Sequence, residues 1–228
     1  MDTSQSTPSL HAARMLADLA VEHPAASRVF HRHGLDFCCH GRVSLQAACL
    51  KAGLDPAVVL AELEAATAGA GEGASLALLP SPALIEHILQ RFHADHREEL
   101  PRLAEMARRV ERVHADKPAC PAGLAAYLDE VAESLDEHMQ KEEQVLFPMI
   151  LAGRGRQAAM PISVMEDEHR DHGIHLAKLR KLGHGYVAPE DACSTWRALY
   201  MGLFELERLL MEHIHLENNV LFPRALRG

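Results

Sequence analysis

The stretch Glu137–Pro148 reads EHMQKEEQVLFP, and Glu212–Pro223 reads EHIHLENNVLFP. Aligned without gaps, the two copies share seven of twelve residues. The shared set holds a histidine and a glutamate four apart, His138 with Glu142 and His213 with Glu217. Four residues is about one helical turn, so each pair presents both side chains on one face.

That face is apolar before and after the pair. Leu128, Val131, Leu135, His138, Glu142, Val145 and Met149 recur at spacings of three and four, as do Leu199, Leu203, Leu206, Leu210, His213, Glu217 and Val220. This is the rhythm of a helix seam buried in a bundle. An ionised carboxylate left unpaired at such a position costs several kcal/mol, so a cation is expected between the helices. A single HxxxE pair is usually an exposed ion pair; two of them in register on an apolar seam point to a metal.

The duplication extends upstream. His93-Ala94-Asp95-His96 precedes the first copy and His169-Arg170-Asp171-His172 precedes the second, both reading HxDH. Each half is then a helix with HxDH followed by a helix with HxxxE, and two such halves predict a four-helix bundle of approximate twofold symmetry. Periodicity alone does not choose between the two histidines of each HxDH. The spare one is expected to support the site or to lie at its polar rim.

Imidazole with carboxylate in a bundle core suits iron or manganese, whereas structural zinc favours thiolate sets, and no CxxC pair exists here. Two symmetric carboxylates can each bridge a metal pair. With an oxo or hydroxo bridge added, one position per iron stays open, sized for a diatomic molecule.

The chain has 228 residues, 48% hydrophobic and 4% aromatic, with no β-branched runs, which predicts an all-α protein with a sizeable core. A formal charge of −9 argues against nucleic acid or an anionic membrane as partner. The opening MDTSQSTPSL is polar and no apolar run approaches the length of a membrane span. Five cysteines, an odd number, fit a reducing compartment, so a cytoplasmic location is expected.

In order, residues 1–8 are expected to be disordered. Helices are predicted from about Leu10 to Glu22, on to Phe30, from the Ser44 cap to Gly53, and from Asp55-Pro56 to about Ala66, giving a small helical module over residues 1–67. Residues 68–82, rich in Gly and Ala and closed by prolines, read as a linker. The bundle, residues 83–228, has four long helices. The first spans about Pro82 to His114, with Pro101 as a kink point, and the second ends near Leu151. Ser163 and Glu166 form a capping-box signature for the third, which reaches Leu182, and the fourth runs from about Glu190 to Phe222-Pro223.

Cys38 and Cys39 are adjacent in the Gly-flanked loop Leu35–Gly41, expected to be exposed. Such a pair binds a metal, reacts with an oxidant or exchanges with a partner thiol. Cys49, Cys120 and Cys193 receive no role. Of the other histidines, His11, His23, His31, His33, His40, His87, His114, His175, His184 and His215, most are expected to be solvated.

The sequence resembles the bacterial RIC (repair of iron centres) family, of ScdA or YtfE type. The resemblance covers nearly the whole chain. It rests on DFCCHG at Asp36–Gly41, RFHADHREELP at Arg91–Pro101, VERVHADKPACP at Val110–Pro121, EHMQKEEQVLFPMI at Glu137–Ile150, PISVMEDEH at Pro161–His169 and EHIHLENNVLFPRAL at Glu212–Leu226. It implies a hemerythrin-like bundle with a non-haem di-iron centre, preceded by an ScdA-type domain. By position, the implied ligands are His93, His138, His169 and His213, with Glu142 and Glu217 bridging. The family pattern has two glycines after the double cysteine, whereas His40 stands here in place of the first.

The resemblance also implies restoration of iron-sulfur clusters damaged by nitric oxide or oxidative stress. Damaged iron-sulfur proteins would be the partners and nitric oxide or dioxygen the small ligand. Reduction of nitric oxide to nitrous oxide, and nitric oxide or dioxygen binding or sensing, are the competing readings, and all use the same six ligands. With no flavin or nicotinamide fingerprint, an electron donor would be another protein or the Cys38–Cys39 pair. A homodimer completes the partners carried forward.

Overall fold

The computed structural model describes residues 10–68 and 76–228. The expected disordered start, and residues 69–75 of the expected linker, lie outside the described residues. The chain divides into two compact units, Met1–Leu79 and Pro80–Gly228. Among the described residues both are helical, with no strand beyond one isolated bridge between Met15 and Ser44.

The first unit holds α1 (Leu16–Glu22), α2 (Ala25–Arg32), α3 (Leu45–Lys51) and α4 (Pro56–Ala68). Helix α1 starts at Leu16 rather than Leu10. The segment ahead of it is tied to the loop before α3, with Leu16 N–H donating to Val43 O, Ala17 N–H to Gly41 O and Leu45 N–H to Arg14 O. Those bonds satisfy donors that a longer α1 would have paired within itself. A Cβ at Gly41 would lie 2.3 Å from Phe37 O and 2.9 Å from Ala17 Cβ, so glycine is what lets this loop lie against α1. Ser44 caps α3, its hydroxyl accepting from Ala47 N–H. Leu19, Phe30, Phe37, Leu45 and Leu63 are fully buried and form the core of this unit.

The second unit is four rods. Rod one is α5 (Ser81–Ile88), a π-helical turn at Leu89–His93 and α6 (Ala94–Val113). Rod two is α7 (Leu124–Lys141), a π turn at Glu142–Leu146 and α8 (Phe147–Leu151). Rod three is α9 (Ala159–Leu182), and rod four is α10 (Ser194–Leu216), a π turn at Glu217–Leu221 and α11 (Phe222–Arg227). Helix α6 packs on α7 and α10, and α7 on α9, so the short connections make successive rods antiparallel. Leu100, Leu103, Leu128, Leu135, Leu179, Leu199 and Leu203 fill the interior, each about 1.5–3 kcal/mol of transfer free energy.

The π turns explain several departures from the sequence reading. In each, an N–H reaches five residues back: Ala94 to Leu89 O, Phe147 to Glu142 O and Phe222 to Glu217 O. The extra residue rotates the downstream helix by about 100°. Val145 therefore turns outward at 49% exposure and Met149 is half-buried, while Leu146 and Phe147 take the seam. Pro148 and Pro223 come immediately after, in the first turn of the resumed helix, where a missing N–H and the ring are tolerated. Rod four accordingly continues past Pro223 to Arg227. The turn at Leu89–His93 has no proline behind it, so proline is not the general cause.

Two helix starts also differ. Helix α9 begins at Ala159 with Pro161 in its first turn, so Ser163 lies inside the helix and forms no capping box. Helix α10 begins at Ser194, not Glu190, because Arg197 folds back to the carbonyls of Pro189, Glu190 and Ala192 and holds that segment as a loop. Pro101 sits within a continuous α6, and the irregularity of rod one lies upstream of it, at the π turn.

Candidate metal centre

Each rod brings one histidine to a common layer: His93 ends the π turn of rod one, His138 lies in α7, His169 in α9 and His213 in α10. All four are at most 1% exposed. Glu142 and Glu217 each open a π turn, and both are 0% exposed. The His93 and His213 Nε2 atoms lie 3.2 Å apart, and those of His138 and His169 lie 3.1 Å apart. Glu142 Oε2 is 3.3 Å from His93 Nε2 and 3.5 Å from His138 Nε2. Glu217 Oε1 is 3.1 Å from His213 Nε2, and its Oε2 is 3.1 Å from His169 Nε2. Two groups of ligand atoms result, His93–Glu142–His213–Glu217 and His138–Glu142–His169–Glu217, each within 4.8 Å, with both carboxylates shared.

The far sides of the rings fix their protons. His93 Nδ1 donates to Glu143 Oε1 at 2.8 Å, His138 Nδ1 to Glu168 Oε2 at 2.9 Å and His169 Nδ1 to Asn218 Oδ1 at 2.7 Å. Glu143 is held in turn by Arg97 at 2.7 Å and Glu168 by Lys141 at 2.5 Å. The His138 hydrogen bond, aided by Lys141, pulls Glu168 down to about 2. With the proton on Nδ1, the Nε2 lone pairs of His138 and His169 face each other at 3.1 Å, which is repulsive unless a cation lies between them.

The carboxylates carry the same strain. Burial, then the neighbouring Glu217 carboxylate, pushes Glu142 well above the usual range. Burial acts in the same direction on Glu217, but His213 and His169 outweigh it and hold Glu217 well below. Two buried carboxylates set against each other in this way are relieved by a cation between them, which neutralises both. An all-imidazole and carboxylate donor set, dry and convergent, fits a cation of iron type.

His96 and His172 are buried too, at 0% and 2% exposure, rather than lying at a polar rim. The His96 ring lies 5.5 Å from that of His213, and the His172 ring 4.9 Å from that of His138. Burial and the neighbouring imidazoles push His172 down to about 2 and His96 well below its ordinary value. Neither enters the two ligand groups. Of the histidines expected to be solvated, His31, His114 and His215 are buried.

Sequence reasoning missed the partners on the outer edge of the rings. Glu143 and Asn218 occupy matching positions in the twelve-residue repeat, each directly after the shared glutamate, and each reaches a histidine on another rod. That register was the available signal. Glu168, directly before His169, had none, since its match in the first half is Phe92.

In the first unit, Cys38 is buried at 5% exposure and Cys39 is half-buried, not exposed as expected. Asp36 causes this. Its Oδ1 accepts from the backbone N–H groups of Cys38, Cys39 and His40 at 3.2, 2.9 and 3.3 Å, winding the loop tightly. The two sulfurs are 3.7 Å apart, too far for a bond between them. The adjacent Cys39 and burial push the Cys38 thiol up, so Cys38 is protonated at neutral pH.

Four antiparallel rods around two imidazole pairs that share two buried carboxylates define a cation-binding helical bundle. Residues 84–225 match the family model described as the hemerythrin HHE cation binding domain. Residues 12–67 match ScdA_N, a domain of unknown function. The chain is 52% identical over 94% of its length to the iron-sulfur cluster repair protein YtfE of Musicola paradisiaca, covering 97% of that protein. It is 50% identical, over 93% of its length and 96% of theirs, to proteins of the same name from Yersinia pseudotuberculosis and Pectobacterium carotovorum. The chain belongs to the hemerythrin HHE family, in the group that carries an ScdA_N domain ahead of the bundle.

Proposed function

We propose that this chain is a non-haem di-iron protein of the cytoplasm that restores iron-sulfur clusters damaged by nitric oxide or oxidative stress. The observation that carries the reading is the sharing of Glu142 and Glu217 between two imidazole pairs, which suits two cations and not one. His93 and His213 would hold one iron and His138 and His169 the other, with Glu142 and Glu217 bridging beside an oxo or hydroxo bridge. Two irons there would supply one-electron chemistry and would take nitric oxide or dioxygen as the small ligand.

The chain's own groups do the rest. The Nδ1 bonds to Glu143, Glu168 and Asn218 keep three Nε2 atoms aimed inward, and the two carboxylates neutralise charge in a dry site. Phe147 and Phe222 cover His93 and His169 and exclude water. The name shared by the curated relatives supports repair as the activity and damaged iron-sulfur proteins as partners. Cys38 and Cys39 are the candidates for coupling the bundle to a recipient or a protein reductant.

Reduction of nitric oxide to nitrous oxide is the second reading, favoured by the same closeness of the two imidazole pairs. One experiment separates them: anaerobic nitric oxide added to the diferrous protein, with nitrous oxide, iron release and recovery of a damaged iron-sulfur enzyme followed together. Recovery of the enzyme without nitrous oxide supports repair. Stoichiometric nitrous oxide with iron retained and no recovery overturns it in favour of the reductase. Replacing Glu142 and Glu217 together by Ala should abolish the metal pair, and a double variant with two irons and unchanged absorption would refute bridging.

A further inference from the structure

A thiol and an imidazole meet at one end of the bundle, about 20 residues and so about 30 Å along α10 from His213. His114 is the C-cap of α6 and Cys193 the N-cap of α10. Cys193 Sγ–H donates to His114 Nε2 at 3.2 Å. His114 is buried while Cys193 is half-buried, so an incoming reagent can reach the sulfur and water is held off the nitrogen.

The surroundings set this pair up for proton transfer. The His114 ring packs on Trp196 at 5.1 Å between centroids, and Trp196 is 0% exposed, so the imidazole has a fixed backing. Lys117 bonds Asp191 Oδ2 at 2.5 Å and Arg197 bonds the carbonyls of Pro189, Glu190 and Ala192, which holds the loop that delivers Cys193. The dipole of α10 favours negative charge at its start and that of α6 favours positive charge at its end, so both assist a proton moving from sulfur to nitrogen. A thiol beside an oriented base is an activated nucleophile. Other thiols of the chain lack this. Burial, then Glu111 and Asp116, pushes Cys120 up, and burial, then Asp55, pushes Cys49 up.

A cleft of about 820 Å³ runs along the same helix, lined by Tyr186, Arg197, Tyr200, Met201, Phe204 and Glu205 among others. Arg197 and Phe204 follow Cys193 at four and eleven residues, so they share its face of α10. The size and the largely apolar wall suit a small molecule. The carbonyl bonds of Arg197 use Nε and Nη2, which leaves Nη1 for a guest's carboxylate.

We propose that Cys193 and His114 form a thiol–disulfide exchange site for small disulfides that carry carboxylates, of the peptide-thiol class. The Cys193 proton passes to His114 Nε2, and Sγ attacks one sulfur of the reagent. A new S–S bond forms as the reagent's own breaks, and the departing thiolate takes the proton from His114. One mixed disulfide and one free thiol result, with no other oxidant or reductant required. The exchange uses no metal, so it stands or falls apart from the di-iron reading.

The test exposes the full-length protein to glutathione disulfide at neutral pH and follows each cysteine by peptide mass spectrometry. Cys193 should gain a glutathionyl group at least about tenfold faster than Cys49 or Cys120, and dithiothreitol should remove it. His114→Phe, which keeps a ring against Trp196 but removes the acceptor nitrogen, should lower that rate by at least about tenfold and leave the other two cysteines unchanged. His114→Gln gives a second route should the first variant fail to fold, since an amide can bond the sulfur but takes no proton from it. Hydroxyethyl disulfide, which has no carboxylate, should react more slowly than glutathione disulfide at Cys193 and not at Cys120. Equal rates with the two reagents at Cys193 overturn the ligand class. A Cys193 no faster than Cys120, or a rate that neither His114 variant lowers, overturns the site itself.

Discussion

The ring of Phe222 lies parallel to that of His169, 5.9 Å between centroids and 2° between planes, although the two come from different rods. Phe147, at the same place in the other copy of the repeat, covers His93 at 5.8 Å and 29°. The shared Leu-Phe-Pro is therefore explained by the site. The π turn between glutamate and phenylalanine swings the ring from its own rod onto the neighbour's histidine. Phe222→Ala should lower stability by about 3–5 kcal/mol, because the ring is fully buried and leaves a cavity. Urea unfolding of the metal-free protein measures this. A loss under about 1 kcal/mol would mean that the site collapses onto the gap.

His96 and His172 carry ring nitrogens that make no hydrogen bond within the bundle. Removing a buried polar group that has no partner is close to neutral, unlike removing one member of a bonded pair. His172→Leu is expected to leave metal-free stability within about 1 kcal/mol of the parent. His138→Leu, which leaves Glu168 with Lys141 alone, should cost more and abolish iron at one position. Comparing the two by unfolding and iron content distinguishes a passenger from a ligand. A His172 variant that loses iron would make that residue part of the ligand set.

Asp36 gives the first unit a pH dependence whose sign is fixed. Burial alone would raise its pKa, but His40, 2.6 Å away, and the loop amides outweigh burial and hold it below the usual carboxylate range. A carboxylate lowered on folding contributes stability above its ordinary pKa and loses it as pH falls through the lowered value. Protection of the Cys39 amide from hydrogen exchange should thus persist at neutral pH and fade in acid. In Asp36→Ala it should already fall by about tenfold, equivalent to about 1.4 kcal/mol, at neutral pH. Equal protection in both proteins would show that other contacts hold the loop.

All six candidate ligands lie in the unit Pro80–Gly228. A chain of residues 80–228 is expected to fold alone and to bind iron as the full protein does. Circular dichroism and iron analysis check this. A fragment that is folded but metal-free would give the first unit a part in loading.

The four rods and the gathering of His138, His213, Glu142 and Glu217 were legible because duplication repeats the informative residues, whereas His93 and His169 were singled out from their HxDH pairs by the family resemblance alone. The illegible parts have physical causes. A π turn costs one slipped hydrogen bond and leaves no composition behind, so the seam was carried on to Val145 and Met149 when it had passed to Leu146 and Phe147. His93 and His96 face the same interior, so periodicity does not separate them, and in the structure the convergence of Nε2 atoms does. Asp36 hid its effect on Cys38, since a short polar residue before two cysteines and a glycine reads as an open loop. It closes only when one carboxylate oxygen collects three amides.

Each imidazole pair joins one ring from the first two rods of the bundle to one from the last two, across separations of 120 residues for His93 with His213 and 31 for His138 with His169. A bound ion at either place would act as a cross-link in the polymer sense, the shorter loop nested inside the longer. For a covalent tie, closing about 100 residues removes about 4.7 kcal/mol of unfolded-chain entropy. The ends of the bundle are then stapled through its middle. A single cut at the exposed turn Ala152–Arg154 would leave two pieces with three ligands each, held together for as long as the ions stay.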